Sequence, residues 1–364
     1  MKILILANHA YVVYKFRKEL LINLLEDGHK VFISCPYDNI LDNLLARGIT
    51  LLPLNFDRHS LNPLGELKIV LHYYKIIRHI NPDIVLTYTI KPNIYGSIIS
   101  SVLKKSYICT ITGLGTVFDQ CFFITFIVQV MYKIALKHAK KVCFQNKDNL
   151  NFMLRKGIIK DNYVLVNGSG VNLKQFSYIP YPSEKKEITF LFVGRLMKEK
   201  GIIEFCEAAK VLLQYGYFNT KFQVIGFCED IFKKKLESLE LSQNISFLGV
   251  QSNVRNHIAL AHAVVLPSYQ EGMSNALLEA AACGRPLIAS DIPGCREIID
   301  NNDTGFLIKP RNVDSLVEAL IVFMKLSHEK KRLMGLKGRK KVEETFNRDI
   351  VVNKYKEIIY KEMV

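Results

Sequence analysis

One pattern constrains this chain more than any other: an alternation of strand and helix that runs once and then starts again. Short β-type runs separated by longer stretches of helical periodicity are the mark of parallel βαβ units. In the first series Ile3–Ala7 reads as a strand, Lys15–Asp27 as a helix ended by Gly28, and Val31–Cys35 as the next strand. Leu67–His79 repeats apolar residues at helical spacing, and strands follow at Asp83–Thr87, Ile108–Thr112 and Lys141–Gln145. The glycine-rich loop at Asn167–Asn172 and the proline-containing, charged stretch Tyr178–Lys186 break the rhythm. It resumes with Ile188–Val193 as strand, Ile202–Gln214 as helix and Lys221–Ile225 as strand, then strands at Ile245–Leu248, Ala263–Leu266, Pro286–Ala289 and Gly305–Ile308. The expectation is an α/β chain of two Rossmann-like domains. They span 1–170 and 188–345, joined by a linker 171–187, with a C-terminal helix 346–364 free to return to the first domain.

Composition narrows the setting. At 364 residues there is enough chain for two cores, and 49% hydrophobic with 23% charged residues is a globular balance. The eight cysteines form no CxxC pair and mostly lie in apolar runs, so they read as buried side chains in a reducing cytoplasm, not as disulfides or a zinc site. Met1–Leu6 is too short an apolar run for a signal peptide. No segment reaches the roughly 20 apolar residues that span a bilayer. The net charge of +15 is lopsided: 22 Lys+Arg against 11 Asp+Glu through Pro180, and 27 against 23 beyond it. A basic first half suits an anionic partner.

Two constellations carry chemistry. The first is Glu271-Gly-Met-Ser-Asn-Ala-Leu-Leu-Glu279, just after the strand Val264–Leu266. Gly272 gives a tight turn, and Ser274 or Asn275 is a natural N-cap for a helix through Ala282. A helix N-terminus behind a parallel strand presents free N–H groups and a positive dipole end, which suits a phosphate. Glu279, further along, is placed to accept from ribose hydroxyls, and Glu271 to reach a sugar. Two solvated glutamates flanking a helix start would show the same spacing, so the context decides. That context is the second constellation, Gly194-Arg195-Leu-Met-Lys-Glu-Lys200-Gly201, directly after the strand ending at Val193. The carboxyl ends of parallel strands are the ligand side of an open sheet. There Arg195 supplies a planar fork and Lys200 a point charge for a diphosphate.

Together these residues resemble the retaining glycosyltransferases of family 4. The match includes Gly194-Arg195, Lys200-Gly201, Gly226, Pro267-Ser268, Glu271 with Glu279, Ala281–Pro286, Pro293-Gly294, Glu297 and Thr304–Leu307, in the expected order. The resemblance implies the GT-B fold, two Rossmann-like domains facing a central cleft, and transfer of a sugar from a nucleoside diphosphate with retention and without a metal. It implies that Arg195 and Lys200 bind the donor diphosphate, that Glu271 contacts the donor sugar, and that Glu279 contacts the ribose. Arg195, Lys200 and Glu271 are the expected catalytic residues, and Gly194, Gly226, Gly272, Ser274, Asn275, Ala276 and Leu277 complete the expected donor site. No Asp-x-Asp motif is present, no metal ligand is assigned, and no cofactor is expected because the nucleotide-sugar is a substrate.

The first half departs from the family's glycine-rich loop, reading Asn8-His9-Ala10-Tyr11. It is similar to enzymes that extend polyprenyl-diphosphate-linked sugars, N-acetylgalactosaminyltransferases of bacterial glycan assembly among them. The residues behind that are Tyr14–Arg17, Thr89–Asn93 and Thr112–Thr116. The expected acceptor contacts are His9, Lys15, Arg17, Lys91, Thr112 and Gly113, with Arg17 and Lys91 on the acceptor diphosphate. A lone histidine is as readily structural. The run Phe118–Lys141 sets apolar residues beside lysines, as a helix on an anionic membrane surface requires, and a core helix fits it nearly as well. The expected enzyme therefore works from the cytoplasm at the inner face of the cell membrane. Its donor is expected to be a UDP-N-acetylhexosamine and its product a step in surface polysaccharide, O-antigen or glycoprotein glycan assembly.

Four alternatives compete with this reading. A GDP-sugar donor would leave the fold unchanged. A UDP-sugar 2-epimerase would leave the apolar-basic run without a task. Nucleic-acid binding rests on charge alone, lacks a recognised motif, and is not expected. All four donor residues are present, which argues against an inactive sugar-binding scaffold.

Overall fold

A computed structural model describes residues 1–54, 62–114, 122–184, 187–228 and 243–362. The chain divides into two compact units, Met1–Ser169 with Arg348–Val364, and Gly170–Asn347.

The first unit is a seven-stranded parallel sheet in the order β3-β2-β1-β4-β5-β6-β7. Its strands are β1 (Lys2–Leu6), β2 (Lys30–Ser34), β3 (Thr50–Leu51), β4 (Ile84–Tyr88), β5 (Ser106–Ile111), β6 (Lys141–Phe144) and β7 (Tyr163–Leu165). Alternation along β1 supplies both faces. Ile3 and Ile5 enter the layer shared with the helices Ala10–Glu26 and Arg348–Lys361, while Leu4 and Leu6 enter the opposite layer with Ile69, Tyr73 and Ile77. The first helix starts at Ala10, earlier than the periodicity indicated, because His9 caps it: its Nδ1 accepts the Tyr11 N–H at 3.0 Å. Edge strands β3 and β7 are too short to show a period.

The second unit repeats the design with six parallel strands in the order β10-β9-β8-β11-β12-β13. They are β8 (Ile188–Val193), β9 (Thr220–Ile225), β10 (Ile245–Phe247), β11 (Ala263–Leu266), β12 (Leu287–Ser290) and β13 (Gly305–Ile308). Strands β11 and β12 are buried throughout. The described part of the segment expected as a linker is bound into this unit. Arg285, fully buried, donates to the carbonyls of Ile179 and Pro180 as well as Ile258, Ala259 and Cys283, and the Tyr181 hydroxyl donates to His262 O at 3.0 Å. A buried guanidinium satisfied only by carbonyls must keep all of them in place. The closing helix, expected from 346, belongs to the first unit from Arg348 onward. Its Arg348 pairs with Glu19 at 2.8 Å.

Each sheet reverses its strand order once, between β1 and β4 and between β8 and β11. Such switch points open a crevice at the carboxyl ends of the strands, where ligands bind. The expected acceptor residues His9, Lys15, Arg17 and Lys91 follow β1 and β4, and the expected donor residues Arg195, Lys200 and Glu271 follow β8 and β11.

Candidate active site

In the second unit the loop after β8 is laid against its neighbours by glycine. Gly194 N–H donates to Ile225 O at 3.0 Å and Leu196 N–H to Phe227 O at 2.8 Å. A Cβ at Gly226 would collide with the Gly194 carbonyl, so the two loops meet only because that side chain is absent. At the other end of the loop Gly201 has φ +71°, and a Cβ there would strike the Pro267 carbonyl of the loop after β11. Tyr269 N–H donates to Glu199 O at 2.8 Å, joining the same two loops through the backbone.

That join brings the charges together. Lys200 Nζ lies 2.6 Å from Glu271 Oε1, with both side chains largely buried, and Ser268 Oγ donates to the same oxygen at 2.9 Å. Arg195, at the start of the loop, is exposed. Of the two candidate caps, Ser274 is the one: its Oγ accepts the Leu277 N–H, and its carbonyl accepts that of Leu278. Asn275 and Ala276 therefore carry the leading N–H groups of the helix Asn275–Ala282. Gly272 sits where Gly294 packs against its carbonyl, and Ser274 N–H donates to Gly294 O at 2.9 Å. Glu297 holds Gly294 from the far side by accepting its N–H at 2.7 Å. Glu279 is 5% exposed, just over one turn into the helix. Behind the pair, burial and then the Glu271 charge push the Cys295 thiol up.

The first unit places its expected residues less uniformly. Lys15 is half-buried, its ammonium over the rings of Tyr11 and Phe16. Lys91 is paired with Glu66 at 2.7 Å, so its charge is already engaged. Thr112 and Gly113 follow β5 at the strand ends and are half-buried; the neighbouring Gly115 and Thr116 lie outside the described residues. Arg17 is 3% exposed. Its guanidinium lies 4.3 Å from the ring centre of Tyr88 at the end of β4, and 5.1 Å from that of Tyr355 on the closing helix. Its Nε is buried without a hydrogen bond, and among the described residues no carboxylate pairs with it. Tyr355 was not foreseeable from the sequence, since it arrives from the opposite end of the chain.

Known proteins match this arrangement. Residues 2–146 match the family described as glycosyl transferase 4-like, and residues 177–341 the one described as glycosyl transferases group 1. The N,N'-diacetylbacillosaminyl-diphospho-undecaprenol alpha-1,3-N-acetylgalactosaminyltransferase of Campylobacter jejuni is 30% identical over 98% of this chain and 97% of its own. The chain belongs to glycosyltransferase family 4. This glycosyltransferase is also 26% identical to the UDP-Gal:alpha-D-GlcNAc-diphosphoundecaprenol alpha-1,3-galactosyltransferase of Escherichia coli, over 84% of this chain and 82% of that one. A crystal structure of a Rickettsia africae glycosyltransferase superposes with a TM-score of 0.81 at 22% identity, covering 100% of this chain and 98% of that chain. The two sheets are those of the GT-B fold.

Proposed function

We propose that this glycosyltransferase moves an N-acetylhexosamine from a UDP donor, with retention at the anomeric carbon, to a hydroxyl of a polyprenyl-diphosphate-linked saccharide. The observation that carries the donor half is the Lys200–Glu271 pair beside the capped helix at the second switch point. A cation held 2.6 Å from a carboxylate can be exchanged onto a phosphate, and the exchange frees the carboxylate for sugar hydroxyls. Lys200, Arg195 and the N–H groups of Asn275 and Ala276 then take up the charge that develops as the anomeric C–O bond to the β-phosphate breaks. Glu279 receives the ribose. The acceptor oxygen attacks from the leaving-group face, forms the new C–O bond, and gives its proton to the departing phosphate oxygen; UDP leaves.

The acceptor half is supported by the relatives, which by their names act on undecaprenyl-diphosphate-linked sugars. It is supported also by Arg17 at the first switch point, a buried cation with no carboxylate partner among the described residues. The helix Phe122–Leu136 adds the membrane: Phe126, Ile127, Val130 and Ile134 are exposed, and Lys133, Lys137 and Lys140 lie close by in the sequence. No helix among the described residues is long and apolar enough to cross a bilayer, so this face is read as resting on an anionic surface. Vesicles of phosphatidylglycerol should retain the protein where phosphatidylcholine vesicles do not. Equal retention by both would remove the electrostatic part of the reading.

Calorimetric titration of UDP and GDP tests the donor. UDP should bind, and Lys200→Ala and Glu279→Ala should each weaken it by roughly 1.5–3 kcal/mol, the worth of a charged hydrogen bond. Tighter binding of GDP would change the base and keep the reaction class. Binding of neither to folded protein would overturn the donor site.

A further inference from the structure

Beside the donor pair lies a second set of side chains that the reaction above does not use. Glu204 stands in the first turn of the helix Ile202–Gln214, immediately after the Arg195–Gly201 loop, and is nearly buried. A carboxylate there gains from the helix dipole, which offsets part of its desolvation. Its Oε1 accepts the Tyr269 hydroxyl at 2.5 Å, and its Oε2 is buried without a partner. Among the described residues Tyr269 is the partner this carboxylate has. The Tyr269 ring is covered by the guanidinium of Arg311, 4.6 Å from the ring centre. Tyr269 itself sits two residues before Glu271, and its N–H is bound to Glu199 O one residue before Lys200.

The loop that carries Glu271 is thus tied to the loop that carries Lys200 in two layers. The inner tie is the Lys200–Glu271 ion pair, which is the contact a donor diphosphate would take apart. The outer tie is Tyr269, through Glu199 and Glu204. Resting on the donor reading above, we propose that Tyr269, anchored by Glu204 and covered by Arg311, is a positioning residue: it keeps Glu271 in register with the donor sugar while Lys200 is engaged by phosphate. It touches neither nucleotide nor sugar and acts only through the loop it holds. The tie is needed most in the donor-bound state, when the inner one is gone.

Tyr269→Phe keeps the ring under Arg311 and removes only the hydroxyl. UDP should bind within about two-fold of the parent, because Lys200, Glu279 and the helix N-terminus are untouched. The kcat for transfer should fall about ten-fold with KM for the donor little changed, the signature of an interaction realised in the transition state. Glu204→Gln, which retains an oxygen acceptor for the hydroxyl, should restore kcat to within about three-fold, and Glu204→Leu should reproduce Tyr269→Phe. Hydrogen exchange of the 268–272 amides reads the same tie without any donor. In a Lys200→Ala background the inner tie is absent, so Tyr269→Phe should accelerate exchange there by about ten-fold and by less than about three-fold in the parent. Equal acceleration in the two backgrounds, or a loss of UDP affinity that parallels the loss of kcat, would overturn the proposal. Because the exchange cycle needs no nucleotide, a wrong donor base would spoil the kinetic arm and leave this one standing.

Discussion

The two units bring a cation to the same topological place and store it in opposite ways. In the second unit Lys200 is stored against a carboxylate, Glu271, in a loop pair locked by Gly201 and Tyr269. In the first unit Arg17 is stored between two tyrosine rings, with no carboxylate among the described residues. An ion pair can be exchanged: an arriving phosphate replaces one anion by another, and the local charge changes little. A guanidinium held by its faces keeps in-plane donors for whatever arrives, at the cost of a buried charge that no carboxylate among the described residues compensates. The difference teaches that the cation of the second unit is balanced from within its own loops, whereas among the described residues that of the first unit is met only by aromatic rings.

Lys200→Ala should show the largest effect. On the proposed donor reading it removes a phosphate contact as well as the partner of Glu271, and the transfer rate should fall by about 100-fold or more, measured as product formed from UDP-sugar and lipid-linked acceptor. A loss below ten-fold would mean that the ion pair is structural and the comparison is misdrawn. Next comes Gly201→Ala, which puts a Cβ into the Pro267 carbonyl at φ +71°. It should cost about 2 kcal/mol or more, read as a lowered denaturation midpoint, and should lower UDP affinity with it. Arg17→Met sharpens the contrast because the two readouts should part. KM for the acceptor should rise about ten-fold while thermal stability holds or improves, since a buried charge without a carboxylate among the described residues has been replaced by an apolar chain. A drop in stability would show that Arg17 is paired after all.

The smallest effect concerns the clasp of the closing helix. Asp27 accepts from Lys356 at 2.7 Å and from the Tyr360 hydroxyl, and these bonds, Lys356 first, hold its carboxyl below the usual value. A depressed folded-state value gives stability that is present above the unfolded value of 3.8 and is lost as pH falls through the folded one. This clasp should therefore weaken as pH falls below about 4, and Asp27→Asn should flatten that part of the acid-unfolding curve. The aspartate is exposed, so solvent screening keeps the change small.

Much of this was legible in the sequence, and the reason is local. The strands of the second unit are continuous apolar runs, so β8, β11 and β13 coincide with the expected boundaries, as does the helix Ile202–Gln214. The expected donor residues are bracketed by glycines whose conformations are dictated nearby, and the Ser274 cap stands beside the helix it caps. What was not legible depends on partners distant in the chain. Arg17 was expected on the acceptor diphosphate, and nothing around it in the sequence announces Tyr88 or Tyr355; Lys91 gave no hint of Glu66. The binding of 179–181 into the second unit follows from Arg285, which lies about 100 residues later and read as a motif position.

The return of the closing helix has a consequence for how the chain is made. Val351, Val352, Tyr355, Ile358 and Ile359 are part of the core beneath β1 and β4, so the first unit lacks one wall until residues 348–361 have been synthesised. The second unit has no such debt. Its two ends meet where Val171 N–H donates to Phe346 O at 2.8 Å, and everything between them is contiguous. On a ribosome that emits residues from the N-terminus, the half translated second can finish folding first, while the half translated first waits with part of its apolar surface uncovered.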